Sequence, residues 1–291
     1  MAFNIVNNYI NAPNSVYFIG EIGINHNGDI NLAKTIMKEA KVAGFSAVKF
    51  QKRNPEITTP PEVRNKIRET PWGEMTYIDY KFKIELEKSE YDEINKYAKE
   101  LDIDWFASCW DEESLDFINS YDLPCIKIAS ACITNKNLMN KHVETGKPLI
   151  MSTVMSSLEQ IEKAYSILSN NPLAILHATS TYPCPPEELN LNMINTLKSL
   201  YPDNPIGYSG HESGLSTSIA AAVIGAKIIE RHITIDRALW GTDQAASLGP
   251  DGMRKLIGSV NSIITSMGDG VKKVYDSEQK SIKNLRPIDD I

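Results

Sequence analysis

Two histidines, His211 in PIGYSGHE and His232 in KIIERHIT, each stand just after a run that reads as a β-strand. The helical stretch LSTSIAAAVIGA lies between the two runs. Parallel strands joined by a helix bring their C-terminal ends side by side on one rim. Both imidazoles are then within reach of one point, where a divalent metal ion would sit and polarise a carbonyl. Spacing alone is equally compatible with two loop histidines that satisfy backbone groups. Two lysines raise a related question. Lys49 in AVKFQ and Lys127 in CIKIAS interrupt apolar strands, and a buried ammonium is costly without an anionic partner. That partner is either a bound carboxylate or phosphate, or a glutamate on a neighbouring strand such as Glu21 or Glu230.

The elements that must position these residues recur along the chain. Short β-rich runs are VYFIGEIGI, SAVKFQ, DWFASCW, PCIKIAS, PLIMST, LAILHATS, PIGYSG and KIIERHIT. Between most of them lie amphipathic stretches such as NLAKTIMKEAKVAG and SLEQIEKAYSILSN, apolar at roughly i, i+3, i+4 and i+7. Asp111 and Ser157 read as helix starts. Eight strands alternating with helices predict an α/β fold, a (β/α)8 TIM barrel. Residues 1–291 are expected to form one domain, with a barrel core of about 16–270, an N-terminal extension and a polar tail. A doubly wound open sheet is the alternative, weakened because no dinucleotide-type glycine fingerprint follows the first strand. The first fourteen residues are expected to form a small hairpin closing the barrel floor. Residues 52–83 form a long proline-rich, basic and aromatic insertion between the second and third strands. A loop of that length is usually functional or disordered.

Composition removes several classes. No run approaches the length of a membrane span, and the N-terminus lacks a basic start followed by an apolar core. Cys109, Cys125, Cys132 and Cys184 show no metal-binding spacing, so reduced thiols in a cytoplasmic protein are the expectation. A net charge of −7 argues against a general nucleic-acid binder. It leaves room for a small anionic substrate in a locally basic pocket.

In a barrel, catalytic groups gather at the C-terminal ends of the strands. The first strand delivers Glu21, Asn25 and His26 there, the second Lys49 and Gln51, and the third Ser108. The fourth gives Lys127 and Ser130, and the fifth Ser152 and Thr153. The sixth gives His177, Thr179, Ser180 and Tyr182, the seventh Ser209 and His211, and the eighth Glu230, Arg231 and His232.

The segments EIGINHNG, AVKFQ, IKIAS, TSTYPCP, GYSGH and ERHIT, in this order, resemble the sialic acid synthase family. The resemblance runs from about residue 16 to residue 275. It implies a barrel enzyme that condenses phosphoenolpyruvate with an aldose or N-acyl-hexosamine to give a 2-keto-3-deoxy sugar acid and phosphate. By the same resemblance, His211 and His232 are the metal ligands, for Mn²⁺ or Mg²⁺, and Glu21 is the carboxylate beside the metal and the acceptor. Lys49, Lys127, Ser130, Ser180 and Ser209 fall where the family holds phosphoenolpyruvate. Gln51, Tyr182 and Asp243 match positions lining the acceptor. The residue types suit the chemistry: cationic and hydroxyl donors for a carboxylate and phosphate, and an acid–base carboxylate for the proton on water or aldehyde oxygen. Asp243 lies in WGTDQAASLGP, which is either a sugar-contacting loop or a plain turn into the last helix. A homo-oligomer is expected.

The departures from the family are specific. Ser130-Ala131-Cys132 lacks a carboxylate common there, leaving Glu21 or Glu212 to substitute. Cys109-Trp110 shortens a phosphate-binding turn, and Val154 replaces a glycine. Family members usually carry an antifreeze-like domain after the barrel, whose arginine reaches the acceptor of the partner subunit; this chain is expected to lack it. The insertion is expected to fold over the mouth instead, offering Lys52, Arg53, Arg64, Arg68 and Tyr77. A metal-dependent sugar aldolase, another keto-acid synthase and a non-catalytic sugar-binding barrel remain the alternative readings.

Overall fold

The computed structural model describes residues 4–5, 8–9 and 15–288. Eight parallel strands close into a barrel. They are β1 Tyr17–Gly23, β2 Ala47–Lys52, β3 Asp104–Cys109, β4 Ile126–Ile128, β5 Leu149–Ser152, β6 Leu173–Ala178, β7 Ile206–Gly210 and β8 Ile228–His232. The barrel closes where β8 pairs with β1, Glu230 lying opposite Ile19 and His232 opposite Glu21. The expected barrel is therefore observed, and the open sheet is not.

A ring of helices covers the strands: α1 Ile30–Ala43, α2 Lys88–Leu101, α3 Glu112–Asn119, α4 Lys136–Glu144, α5 Leu158–Leu168, α6 Met193–Leu200, α7 Ser216–Val223 and α8 Pro250–Ser266. Their starts are local in origin. Asp29 accepts from the first-turn amides of α1, Asp111 caps α3 through the Ser114 amide at 2.8 Å, and Ser157 with Gln160 makes a capping box on α5. Such caps each contribute about 1 kcal/mol. Strands covered on both faces become near-continuous buried runs, and β1, β6, β7 and β8 are buried throughout.

Strand alternation sorts the polar residues. On β8, Glu230 and His232 face the lumen while Arg231, between them, faces the helices and binds Glu212 and Ser218. Phe50 likewise packs outward between the lumen residues Lys49 and Gln51.

The insertion is ordered. Residues Pro55–Thr58 and Pro61–Arg64 form single helical turns, Ile67–Thr70 and Gly73–Thr76 pair as a hairpin, and Tyr77–Ile84 is a helix. Tyr80 and Ile84 pack with Ile24, beyond β1, and with Trp240, beyond β8, in a cluster separate from the main core. The tail forms a short helix, Gln279–Leu285, that buries no residue. At the other end Asn4–Ile5 pairs antiparallel with Asn8–Tyr9. The expected role of this hairpin in closing the barrel floor lies outside the described residues.

Gly207 marks the tightest strand approach. A Cβ there would lie 2.4 Å from Leu176 Cδ2 and 2.7 Å from the Ile228 carbonyl oxygen. Gly207→Ala is expected to lower stability by about 1–3 kcal/mol through overpacking, read as a lower urea midpoint; an unchanged midpoint would show that the barrel relaxes around a methyl group.

Candidate active site

Four buried charges cross the top of the barrel. Lys49 Nζ lies 3.1 Å from Glu21 Oε2 and 3.3 Å from Glu230 Oε1. Lys127 Nζ lies 2.5 Å from the same Glu230 oxygen, which also accepts from Ser209 Oγ at 2.9 Å. None of the four charged residues is more than 4% exposed. Burial works against the charge on Lys49, yet Glu21 and Glu230 together hold its pKa above the ordinary lysine range. Burial pushes Lys127 down to about 8, against the pull of Glu230. On Glu230, burial is outweighed by Lys127 and then Lys49, so its carboxyl is held below the usual carboxylate range. The lysines' partners are thus the barrel glutamates, and burial alone does not require a bound anion.

Above these charges stand the two histidines. Their ring centroids are 5.6 Å apart and inclined at 50°, with the Tyr182 ring 4.4 Å from His211 and 5.6 Å from His232. His211 Nδ1 donates to the Thr179 carbonyl at 2.6 Å, which leaves Nε2 as the acceptor nitrogen. Burial, then His232, pushes His211 down to about 3, so its imidazole is neutral. His232 Nδ1 is buried without a hydrogen bond, 3.7 Å from Asp243 Oδ2. Two imidazoles at this separation, one with a buried nitrogen that lacks a hydrogen-bond partner, fit a divalent ion in donor type. Among the described residues no group of three or more His, Cys, Asp or Glu side chains is arranged to hold a metal. Water or substrate oxygens would have to complete the shell. The other histidines meet the backbone: His26 accepts from the Gly28 amide, while His142 and His177 bond the Leu138 and Leu189 carbonyls.

A cavity of about 100 Å³ joins the two levels. It is lined by Glu21, Lys49, Gln51, Lys127, Ser130, Ser180, Tyr182, Ser209, His211 and His232, so ten of the sequence-derived residues share one space. Gln51 Nε2 donates to Glu21 Oε1 at 2.9 Å. Asp243 does not line the cavity; it stands behind His232, which does. Its loop is held down by buried Gln244, which bonds the Asn25 carbonyl and Thr234, and by Ser247, which bonds Asn25. It is therefore a structured rim loop.

Several expectations change. Glu212 does not reach the cavity: Arg231, Ser218 and Tyr208 bind it behind β7, so it cannot replace the carboxylate absent at Cys132. Lys52 turns to the Leu86 carbonyl and Glu85, outside the lumen, and Arg64 binds Glu56 and the Thr59 carbonyl within the insertion. Neither faces the mouth, because nearer acceptors capture both. Arg53 does reach it, bonded to Gln51 and stacked 4.6 Å from the ring centre of Trp110, a cavity-wall residue. The sequence places Glu230 on the rim and offers it as a lysine counter-ion without a role in the site, whereas it is the hub of the site. Its signal was an ionisable residue inside IIERH, inward by the same alternation that places His232. Trp110 was seen only as a departure.

A closed (β/α)8 barrel with paired lysines, glutamates and histidines at its C-terminal mouth defines an enzyme of the barrel class. The NeuB family model matches residues 36–272. Over 285 residues the chain is 35% identical to the N-acetylneuraminate-9-phosphate synthase of Mus musculus, covering 95% of this chain and 78% of that protein. It is 36% identical over 275 residues to the N,N'-diacetyllegionaminic acid synthase of Campylobacter jejuni, covering 92% and 82%. The crystal structure of N-acetylneuraminic acid synthetase from Leptospira borgpetersenii, in complex with citrate, superposes with a TM-score of 0.85 at 32% identity, covering 98% of this chain and 97% of that one. The chain belongs to the NeuB family and is a carbon–carbon bond-forming transferase.

Removing the hub carboxylate leaves two buried ammonium groups short of a partner. Glu230→Ala is expected to cost about 3–5 kcal/mol, measured by urea unfolding; a loss below about 1 kcal/mol would show that the lysines find other acceptors.

Proposed function

We propose that the chain condenses phosphoenolpyruvate with the open-chain aldehyde of a sugar, giving a 2-keto-3-deoxy sugar acid and inorganic phosphate. The observation that carries this reading is the single cavity shared by Glu21, Lys49, Lys127, His211, His232 and the hydroxyls of Ser130, Ser180 and Ser209. Lys49 and Lys127 hold the anionic substrate by charge, kept in place by Glu21 and Glu230. The serine hydroxyls donate to its oxygens. C3 of phosphoenolpyruvate attacks the aldehyde carbon to form the new C–C bond, and the aldehyde oxygen gains a proton. Water adds at C2, the C2–O bond breaks, and phosphate leaves with the bridging oxygen. Glu21, on the cavity wall between Lys49 and Gln51, positions that water or relays the proton. Gln51 and Tyr182 face the acceptor, and Asp243 stands behind His232.

His211 and His232 would hold a divalent ion, Mn²⁺ or Mg²⁺, which when bound supplies Lewis acidity toward the aldehyde oxygen. The direct test is phosphate release from phosphoenolpyruvate across a panel of aldoses and N-acyl-hexosamines, with Mn²⁺ and with chelator. Chelator-sensitive release that depends on one sugar is expected. Release that persists after exhaustive chelation would remove the metal from the reading, and turnover of pyruvate in place of phosphoenolpyruvate would replace it with an aldolase. In a second test, Glu21→Gln is expected to lower kcat by roughly 100-fold or more with little change in the KM for phosphoenolpyruvate. Unchanged kcat would confine Glu21 to pairing with Lys49.

A further inference from the structure

Glu21 is held from both sides. Its Oε2 meets Lys49 Nζ at 3.1 Å, and its Oε1 accepts from Gln51 Nε2 at 2.9 Å. The far end of the same amide, Gln51 Oε1, accepts from Arg53 Nη2. Arg53 is buried and touches two walls of the cavity, Gln51 and Trp110, without lining it. Whatever it does to the chemistry it therefore does through those neighbours.

The chemistry of the three groups allows one arrangement. An amide oxygen only accepts and its NH₂ only donates, while a carboxylate only accepts and a guanidinium only donates. Gln51 lies between the two, so a single orientation of its amide satisfies both neighbours. The terminal torsion of a glutamine is broad and roughly two-fold. A half-turn about it would set Gln51 Oε1 against Glu21 Oε1, acceptor against acceptor, and Nε2 against the guanidinium. Arg53 is itself fixed. Its Nε lies 3.0 Å from Glu85 Oε1, its backbone N–H meets Glu85 Oε2 at 3.4 Å, and its guanidinium stacks on Trp110. Glu85 ends the insertion's helix Tyr77–Ile84. Stacking on a ring while donating in plane suits a guanidinium and not an ammonium.

We propose that Arg53 is a positioning residue of the condensation: it fixes the Gln51 amide, and through that amide the Glu21 carboxylate, in the orientation the reaction uses. The line Glu85–Arg53–Gln51–Glu21 runs from the insertion to the cavity, each donor set against an acceptor. The insertion thereby acts on the site without its own helix or hairpin lining the cavity. This inference rests on the synthase reading above and adds to it what holds the acid–base carboxylate.

The test is a double-mutant cycle on phosphate release from phosphoenolpyruvate, in the full chain. Arg53→Met removes the donors and is expected to lower kcat by about tenfold or more, with the KM for phosphoenolpyruvate within about twofold. Arg53→Lys keeps a donor for Gln51 Oε1 and is expected to recover part of the loss. In a Gln51→Leu background, Arg53→Met is expected to cost less than about twofold further, because the amide it acts through is gone. Equal losses in both backgrounds, or a loss confined to KM, would overturn the role. A second readout needs no turnover. In protein labelled with ¹⁵N-glutamine, the Gln51 side-chain amide is identified by its absence in Gln51→Leu. Its resonance is expected to move in Arg53→Met to the position of a solvent-exposed glutamine; an unmoved resonance would overturn the role. Should Arg53→Met fail to fold, Arg53→Lys carries both measurements, with a smaller loss that must likewise vanish in the Gln51→Leu background. Should the parent chain release no phosphate with any sugar, the synthase reading fails by itself, and the amide resonance alone decides whether Arg53 fixes Gln51.

Discussion

The chain of buried charges Glu21–Lys49–Glu230–Lys127 constrains everything above and below it. It draws on β1, β2, β4 and β8, so those strands must present their residues in one layer of the lumen. Two ammonium and two carboxylate groups sum to zero, which makes the layer tolerable inside a barrel where unpaired charge would not be. Because Glu230 Oε1 serves both lysines and Ser209, each contact presupposes the others. The layer also fixes the site's electrostatic starting point: a neutral base to the cavity, with neutral His211 above it.

The opposite face of the same strands repeats the solution with different residues. Arg231 and Glu212 form a buried pair behind β7 and β8, completed by Ser218, Tyr208 and the Gly214 carbonyl. Three consecutive residues of β8 therefore serve three surroundings. Glu230 ties the lumen, Arg231 ties the helix layer, and His232 faces the mouth. A one-residue register slip would exchange all three environments at once, which makes this strand intolerant of insertion.

Much of this was readable in the amino-acid order. The eight strands, the helix starts at Asp111 and Ser157, and the inward residues follow from short-range pattern, and pattern is local. What escaped depended on distant partners. Glu230 could be named as a counter-ion, but which lysine it served, and that it served both, needed the barrel closed. Glu212 looked available because nothing in GHESG reveals Arg231 behind it. The insertion's cations could be counted but not sorted. Arg64 finds Glu56 eight residues away, whereas the aromatic rings beside Arg68 include Trp240, which lies far along the chain.

The insertion bridges the seam at which the barrel closes, since its small core joins Ile24 after the first strand to Trp240 after the last. Trp72, on the hairpin turn, meets Trp240 edge-on at 6.0 Å. Two indoles from segments far apart in the chain thus touch only while the insertion is docked. The molecule carries its own optical gauge: the emission of this tryptophan pair reports whether the insertion is packed against the closure seam, with no label attached.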